Sequence, residues 1–192
     1  MSVELDTLDL TLLELVPGEP PVEFHTTRNF NYFTRVVKNV RRMNDIYGRI
    51  KKKEKWGLDP ELTNLNPEFD TWLAELPEDL QIIFPLGTSP PWLPSHQIGN
   101  MHSYYYLSII MLHRPQLSFL DPSQPGGQWK YHMAICYDSA KKLCRIQEAI
   151  INLFEMRGLL CMQRGVNFTI YAILTCVVLH LVGFSFLLCD VS

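Results

Sequence analysis

Apolar positions recur at helical spacing along most of the chain. Between Phe30 and Ile50 the residues Phe30, Phe33, Val36, Val37, Val40, Met43, Tyr47 and Ile50 share one broad face, which predicts a helix with a buried side. Arg35, Lys38, Arg42 and Arg49 fall on the opposite side, where long cationic side chains are expected to stay hydrated. Within Trp56 to Leu80, Asn66-Pro67-Glu68 offers a capping side chain, a first-turn proline and an acid near the positive end of a helix. A short helix should follow and end near Pro77. Pro85, Pro90, Pro91 and Pro94 then interrupt regular structure over a loop of about a dozen residues, with Trp92 expected to pin it to the body.

Ile98 to His113 is apolar almost all round, the pattern of a central helix, and Pro115 should end it by disfavouring helical geometry at Arg114. Turns at Asp121-Pro122 and Gly126-Gly127 lead into a helix from about Trp129 to Ala149, with Met133, Cys136, Tyr137, Ala140, Leu143 and Cys144 on its buried side. Ile150 to Gln163 reads as a further helix with Gly158 as its weak point. Val166 to Leu188 is apolar at seventeen of its twenty-three positions. No strand pattern of comparable length competes and no fixed-period repeat is visible, so the expected class is an all-α, multi-helix domain.

Composition narrows the picture. An apolar fraction of 47% with 19% charged residues is that of a chain that folds, since disordered chains carry fewer apolar residues and more net charge. A formal net charge of -3 supplies no field for nucleic acid. Cys136, Cys144, Cys161, Cys176 and Cys189 are odd in number and widely spaced, which argues for a reducing compartment over a disulfide framework. The acidic stretch Met1 to Glu14 lacks the basic start and apolar run of a signal peptide, and Pro17-Gly18-Glu19-Pro20-Pro21 reads as a linker.

Three segments carry a resemblance to a known family. Met101-His102-Ser103-Tyr104-Tyr105-Tyr106 running on to Leu112-His113-Arg114-Pro115 resembles the helix ending in Leu-His-Arg-Pro of the fungal-specific transcription factor domain; Cys136 with Ser139-Ala140, and Asn167-Phe168-Thr169-Ile170-Tyr171, are similar to its later helices. The resemblance spans roughly residues 24–181. It implies a helical middle homology region that regulates transcription in the nucleus and answers to protein partners or a small-molecule effector. In that family a separate domain reads DNA through six cysteines around two zinc ions. The cysteines here stand 8, 17, 15 and 13 positions apart, so that cluster and its zinc are not expected in this chain, and DNA would be reached only through the parent family's domain. The corresponding organisation is an N-terminal segment with its Pro-rich linker at 1–24, a partial regulatory domain at 25–181, and an atypical apolar tail at 182–192. That tail reads as intron read-through or a frameshift in a fragmentary product, and the apolar faces left by missing helices imply poor solubility or self-association.

Candidate chemistry is sparse. Leu112, His113, Arg114 and Pro115 are expected to be structural, with Arg114 offsetting the partial negative charge of a helix end. His132 and Cys136, four apart, could both face a metal, but a closed site needs about four ligands and no second close pair is present. His102 and His113 titrate near neutrality yet lack an accompanying nucleophile or orienting acid; Ser103 and Ser108 lie inside an apolar helix. No enzymatic activity is expected. Lys51-Lys52-Lys53-Glu54-Lys55 fits a basic nuclear-import signal, a sequence-blind phosphate patch or a solvated helix end. Asn167-Phe168-Thr169 has the form of a glycosylation acceptor but opens an apolar helix, and Gly126-Gly127 has no glycine-rich continuation toward a nucleotide site.

A rival reading makes Val166 to Leu188 a membrane anchor, since it reaches the required ~20 residues without a formal charge. Arg157 and Arg164 before it and Asp190 after it would put the N-terminal side in the cytoplasm. Asn167, Thr169, Thr175, His180 and Ser185, spread over several faces, are satisfied more readily in a protein core than in lipid.

Overall fold

The computed structural model describes residues 21–50, 60–118, 120–121, 127–160 and 165–189. Among them the regular elements are helices α1 (Pro21–Arg49), α2 (Pro60–Ala74), a 3-10 turn at Glu78–Leu80, α3 (His96–Leu117), α4 (Gln128–Leu160) and α5 (Gly165–Cys189), with no strand. The all-α class follows. Lys51, Lys52, Lys53 and Lys55, the linker residues Pro17 to Pro20, the turn residues Pro122 and Gly126, Cys161, and the last three residues of the tail lie outside the described residues. The chain divides into two compact units, Met1–Gln81 and Ile82–Ser192.

In the first unit α1 and α2 run antiparallel. Tyr32, Val36, Val40, Met43 and Ile46 of α1 are buried, as are Leu65, Phe69 and Trp72 of α2 with Leu76 and Leu80 beyond it. The Trp72 indole Nε1 donates to the carbonyl of Tyr32 across 2.7 Å. The stripe differs from the predicted one at its start: Phe30 is exposed and Tyr32 takes the inward position. The arginines also depart from expectation. Arg28, Arg35, Arg42 and Arg49 stand seven apart and pair with Asp79, Glu75, Glu68 and Glu61 in turn, so the hydrated face turns toward the acids that flank the α2 seam. Seven residues are almost two helical turns, which returns each guanidinium to the same edge of α1.

α1 begins at Pro21, so residues 21–24 are helical rather than linker. α2 begins at Pro60 and carries Pro67 inside it; Asn66 is therefore not a cap. A proline with helical φ costs only its own N–H bond when the surrounding contacts hold the helix, and Leu65 and Phe69 on either side are fully buried.

In the second unit α3 packs along α4, and α4 along α5. Ser95 caps α3, its hydroxyl accepting from the Ile98 amide at 3.3 Å. The helix is buried on nearly every side, polar residues included. Ser103 Oγ bonds back to Gly99 O at 2.9 Å and Ser108 Oγ to Tyr104 O at 2.7 Å, which answers how serines live in an apolar helix. Gln147 of α4 donates to Ser103 Oγ across 2.7 Å and ties the two helices in their core. Pro115 does not end α3, which runs two residues further: Pro115 sits in its last turn, where buried Gln116 holds the geometry.

The loop between Gln81 and Ser95 is held differently from the expectation. Trp92 is 72% exposed, whereas Leu93 is buried and Pro91 with it; in extended chain neighbours point to opposite sides, so the two inward residues force Trp92 out. Arg145 of α4 does the pinning, donating from Nη2 to Pro85 O at 2.7 Å and Ser89 O at 2.6 Å, with its guanidinium over the Phe84 ring.

α4 is a single run from Gln128 to Leu160 with a sharp break at Glu155, where φ is 57° and ψ is -164°. The break falls at neither Ile150 nor Gly158. Along α4 the buried side is Met133, Cys136, Ala140 and Leu143 as predicted, extended by Ile146 and Ile150; Tyr137 is half-buried, and Cys144 is exposed at its edge. α5 continues without interruption from Gly165 through Leu181 to Cys189. Among the described residues no helix is long and apolar enough to cross a membrane.

Candidate functional site

The chemistry of the second unit concentrates where the end of α3 meets the first turns of α4. The motif Leu112-His113-Arg114-Pro115 closes α3, and its members face different ways. Leu112 and His113 are buried at 3% exposure each, Arg114 is exposed and basic in the last turn, and Pro115 is half-buried. Across from them Trp129 Nε1 donates to the carbonyl of Leu117 at 3.1 Å, which joins the first turn of α4 to the last turn of α3 and sets the register of the two helices.

That register brings together two residues that the sequence reading kept apart. His113 Nδ1 and His132 Nδ1 lie 2.8 Å from one another. Tyr131 closes the pair edge-on, with its ring 6.3 Å from His113 and 5.2 Å from His132. Burial first, and the neighbouring His132 second, push the His113 imidazole down to about 4. Burial likewise lowers His132. The pair is therefore neutral at pH 7, one ring donating its Nδ1–H and the other accepting through the bare nitrogen. Cys136, one turn beyond His132, is fully buried and its thiol is pushed up to about 12 by burial, with Arg114 opposing weakly. A protonated thiol and two neutral imidazoles whose facing nitrogens satisfy each other make a polar clasp inside an apolar contact.

Among the described residues no group of three or more His, Cys, Asp or Glu side chains is placed to hold a metal ion. His132 and Cys136, spaced for a metal, instead serve two different contacts: His132 turns to His113, and Cys136 packs in the core. His102 is buried in the N-terminal third of α3, eleven residues before His113. The one signal that could have found the His113–His132 pair is the helical hairpin itself, since both residues lie near its closed end; their mutual orientation needs the interhelical register.

A second polar cluster lies at the other end of the α3–α4 contact, where Asn100 Nδ2 donates to the carbonyl of Gly158 at 2.8 Å. In the first unit a shallow groove of about 380 Å³ is lined by Arg35, Lys38, Asn39, Glu68, Trp72 and Glu75. Its charged residues include the Arg35–Glu75 ion pair and Glu68, the partner of Arg42. Three thiols are free among the described residues, Cys136 and Cys176 buried and Cys144 exposed.

No family model, curated protein or solved structure matches the chain.

Proposed function

We propose that this chain is a regulatory module of a fungal transcription factor, similar to the middle homology region, and that it acts by self-association rather than by chemistry. The observation that carries the reading is the outer side of α5. Phe168, Ala172, Cys176 and Leu179 are buried, while Ile170, Leu174 and Val177 stand exposed on the other side with Tyr171 and Val178 beside them. A helix apolar on both sides needs a cover for each. Between Gly165 and Cys189 there is no formal charge, so a partner gains nothing from charge and loses least if it is itself apolar. Ile170, Leu174 and Val177 are spaced four and three apart, the spacing of a two-helix seam, and such a stripe is complementary to its own copy about a two-fold axis.

The family reading draws its support from the all-helical fold and from the placement of Leu112 to Pro115 at the end of the most buried helix, where His113 of the motif meets His132 of α4. On this reading the protein works in the nucleus, reaches DNA only through the parent family's zinc-cluster domain, and needs no cofactor of its own.

The test is a tethering experiment. The chain fused to an unrelated DNA-binding domain should change transcription of a reporter bearing that domain's site, and Leu174→Glu should abolish the effect while light scattering shows a dimer becoming a monomer. A monodisperse wild-type monomer, or a reporter indifferent to the fusion, would reject the proposal. Carbonate-resistant pelleting of the wild-type chain with membranes would reject it in favour of the anchor reading.

A further inference from the structure

Cys144 of α4 and Cys176 of α5 meet across the contact between those helices. Cys176 Sγ lies 3.6 Å from the carbonyl oxygen of Ala140, one turn before Cys144 on the same side of α4, which sets the two cysteines against each other across the α4–α5 contact. Both thiols are free, but they differ in access: Cys144 is exposed and Cys176 is buried. The imidazole of His180 borders the pair, its Nδ1 donating to the Cys176 carbonyl at 2.7 Å and its ring 5.2 Å from that of Tyr137.

We infer that Cys144 and Cys176 form a reversible disulfide between α4 and α5 in response to a hydroperoxide, with exposed Cys144 attacking the oxidant and buried Cys176 resolving the product. In the first step the Cys144 sulfur attacks one peroxide oxygen and the O–O bond breaks. The departing oxygen leaves as water with the thiol proton, and Cys144 becomes a sulfenic acid. In the second step the Cys176 sulfur attacks the Cys144 sulfur, the S–O bond breaks, and hydroxide takes the Cys176 proton to give a second water. Two thiols have lost two electrons, and one hydrogen peroxide has become two waters.

The surroundings divide these roles in the same way. The hydrogen bond from Cys176 draws the Cys144 thiol down, against partial burial and Glu148 and with help from His180. The same hydrogen bond and burial hold Cys176 protonated, far above the usual thiol range. Cys136, sealed in the core, has neither access nor a partner thiol within the pair and serves as an internal control. With Cys176 Sγ against the Ala140 carbonyl one turn from Cys144, closing to the ~2 Å of an S–S bond asks for side-chain rotation and adjustment of α5 along α4.

The experiment treats the purified full chain with excess hydrogen peroxide, blocks remaining thiols with N-ethylmaleimide, and maps unreduced peptides by mass spectrometry. A peptide pair joined through Cys144 and Cys176 should accumulate and vanish on reduction with dithiothreitol. It should be lost in Cys144→Ser and Cys176→Ala, both checked for helicity by circular dichroism. In Cys176→Ala the Cys144 sulfenic acid should persist and be captured by dimedone. Cys144 found joined to Cys161, to Cys189 or to the Cys144 of a second copy would overturn the inference, as would alkylation of Cys144 undiminished by peroxide.

Discussion

Asn100 and Gly158 are fifty-eight positions apart, yet the side-chain amide of one donates to the backbone carbonyl of the other at 2.8 Å in the buried interior of the second unit. The contact exists because α4 breaks at Glu155. The break tips the last turns of α4 so that Gly158 comes against the start of α3, with His96 stacking edge-on against Phe154 nearby. A Cβ on Gly158 would stand 2.7 Å from Ile150 Cγ2, so a side chain there would push this closure apart.

Asn100→Leu should leave the Gly158 carbonyl without its buried donor and destabilise the chain by about 1–3 kcal/mol. Urea unfolding followed by circular dichroism measures this. Equal midpoints for variant and wild type would show that the carbonyl finds another partner.

Glu155 holds a φ of 57°, a region that L side chains enter only under constraint. Such strain costs on the order of 1–3 kcal/mol, and glycine relieves it while giving back roughly 0.5–1 kcal/mol of unfolded-chain entropy. Glu155→Gly should therefore raise the melting temperature and Glu155→Ala should not. A lower melting temperature for the glycine variant would mean that the break at 155 is not strained.

Gly99 lets α3 approach α4 closely, and a Cβ there would meet Ile150 Cγ1 and Leu93 Cδ1 at 2.9 Å each. Gly99→Ala should cost about 1–3 kcal/mol through overpacking. Ile150→Ala, which removes Cγ1, should alone cost about 2–5 kcal/mol. Combined, the two should cost less than their sum, because the smaller side chain makes room for the new methyl. Strict additivity in the double-mutant cycle would contradict the close approach.

His113 is pushed down to about 4 in the folded chain, against about 6.5 in the unfolded one. Between those values the unfolded state binds more protons, so stability is full above pH 6.5 and falls as the pH drops toward 4. The loss attributable to this proton is up to roughly 3 kcal/mol, shared with its coupled neighbour His132. His113→Gln keeps polar groups at the site without the titration and should flatten the dependence between pH 7 and 5. Parallel pH profiles for the two proteins would exclude the histidine pair as its source.

In the first unit the arginine ladder and the apolar seam make separate contributions. Arg42→Ala removes an exposed pair with Glu68 and should cost no more than about 1 kcal/mol, less at high salt. Met43→Ala empties a fully buried position and should cost about 2–5 kcal/mol at any salt. A larger loss for the arginine variant would reverse the assignment of what holds α1 on α2.

Much of the fold is legible in the chain because burial imposes a period. Val36, Val40 and Met43 repeat at helical spacing and are buried, and the all-round apolar character of Ile98 to His113 marks the helix that the others cover. Where local rules misled, tertiary contact had overruled them. Pro67 and Pro115 read as helix punctuation, but each lies within a helix beside buried residues that keep the backbone helical. Trp92, the largest residue of its loop, is turned out, because Pro91 and Leu93 face the core and Arg145 supplies the anchor from another helix.

The sequence by itself determined the class of the protein: the 3.6-residue period, the absence of alternating stretches and the modest net charge admit a helical chain and little else. The heptad spacing of Arg28, Arg35, Arg42 and Arg49 was also present there, although its acidic partners only become apparent with α2 laid antiparallel. Pairings between helices were decided by tertiary structure alone. His113 with His132, Asn100 with Gly158 and Cys176 with the Ala140 carbonyl each depend on the rotation and register of one helix against another, which the summed packing of many side chains selects and no local spacing encodes.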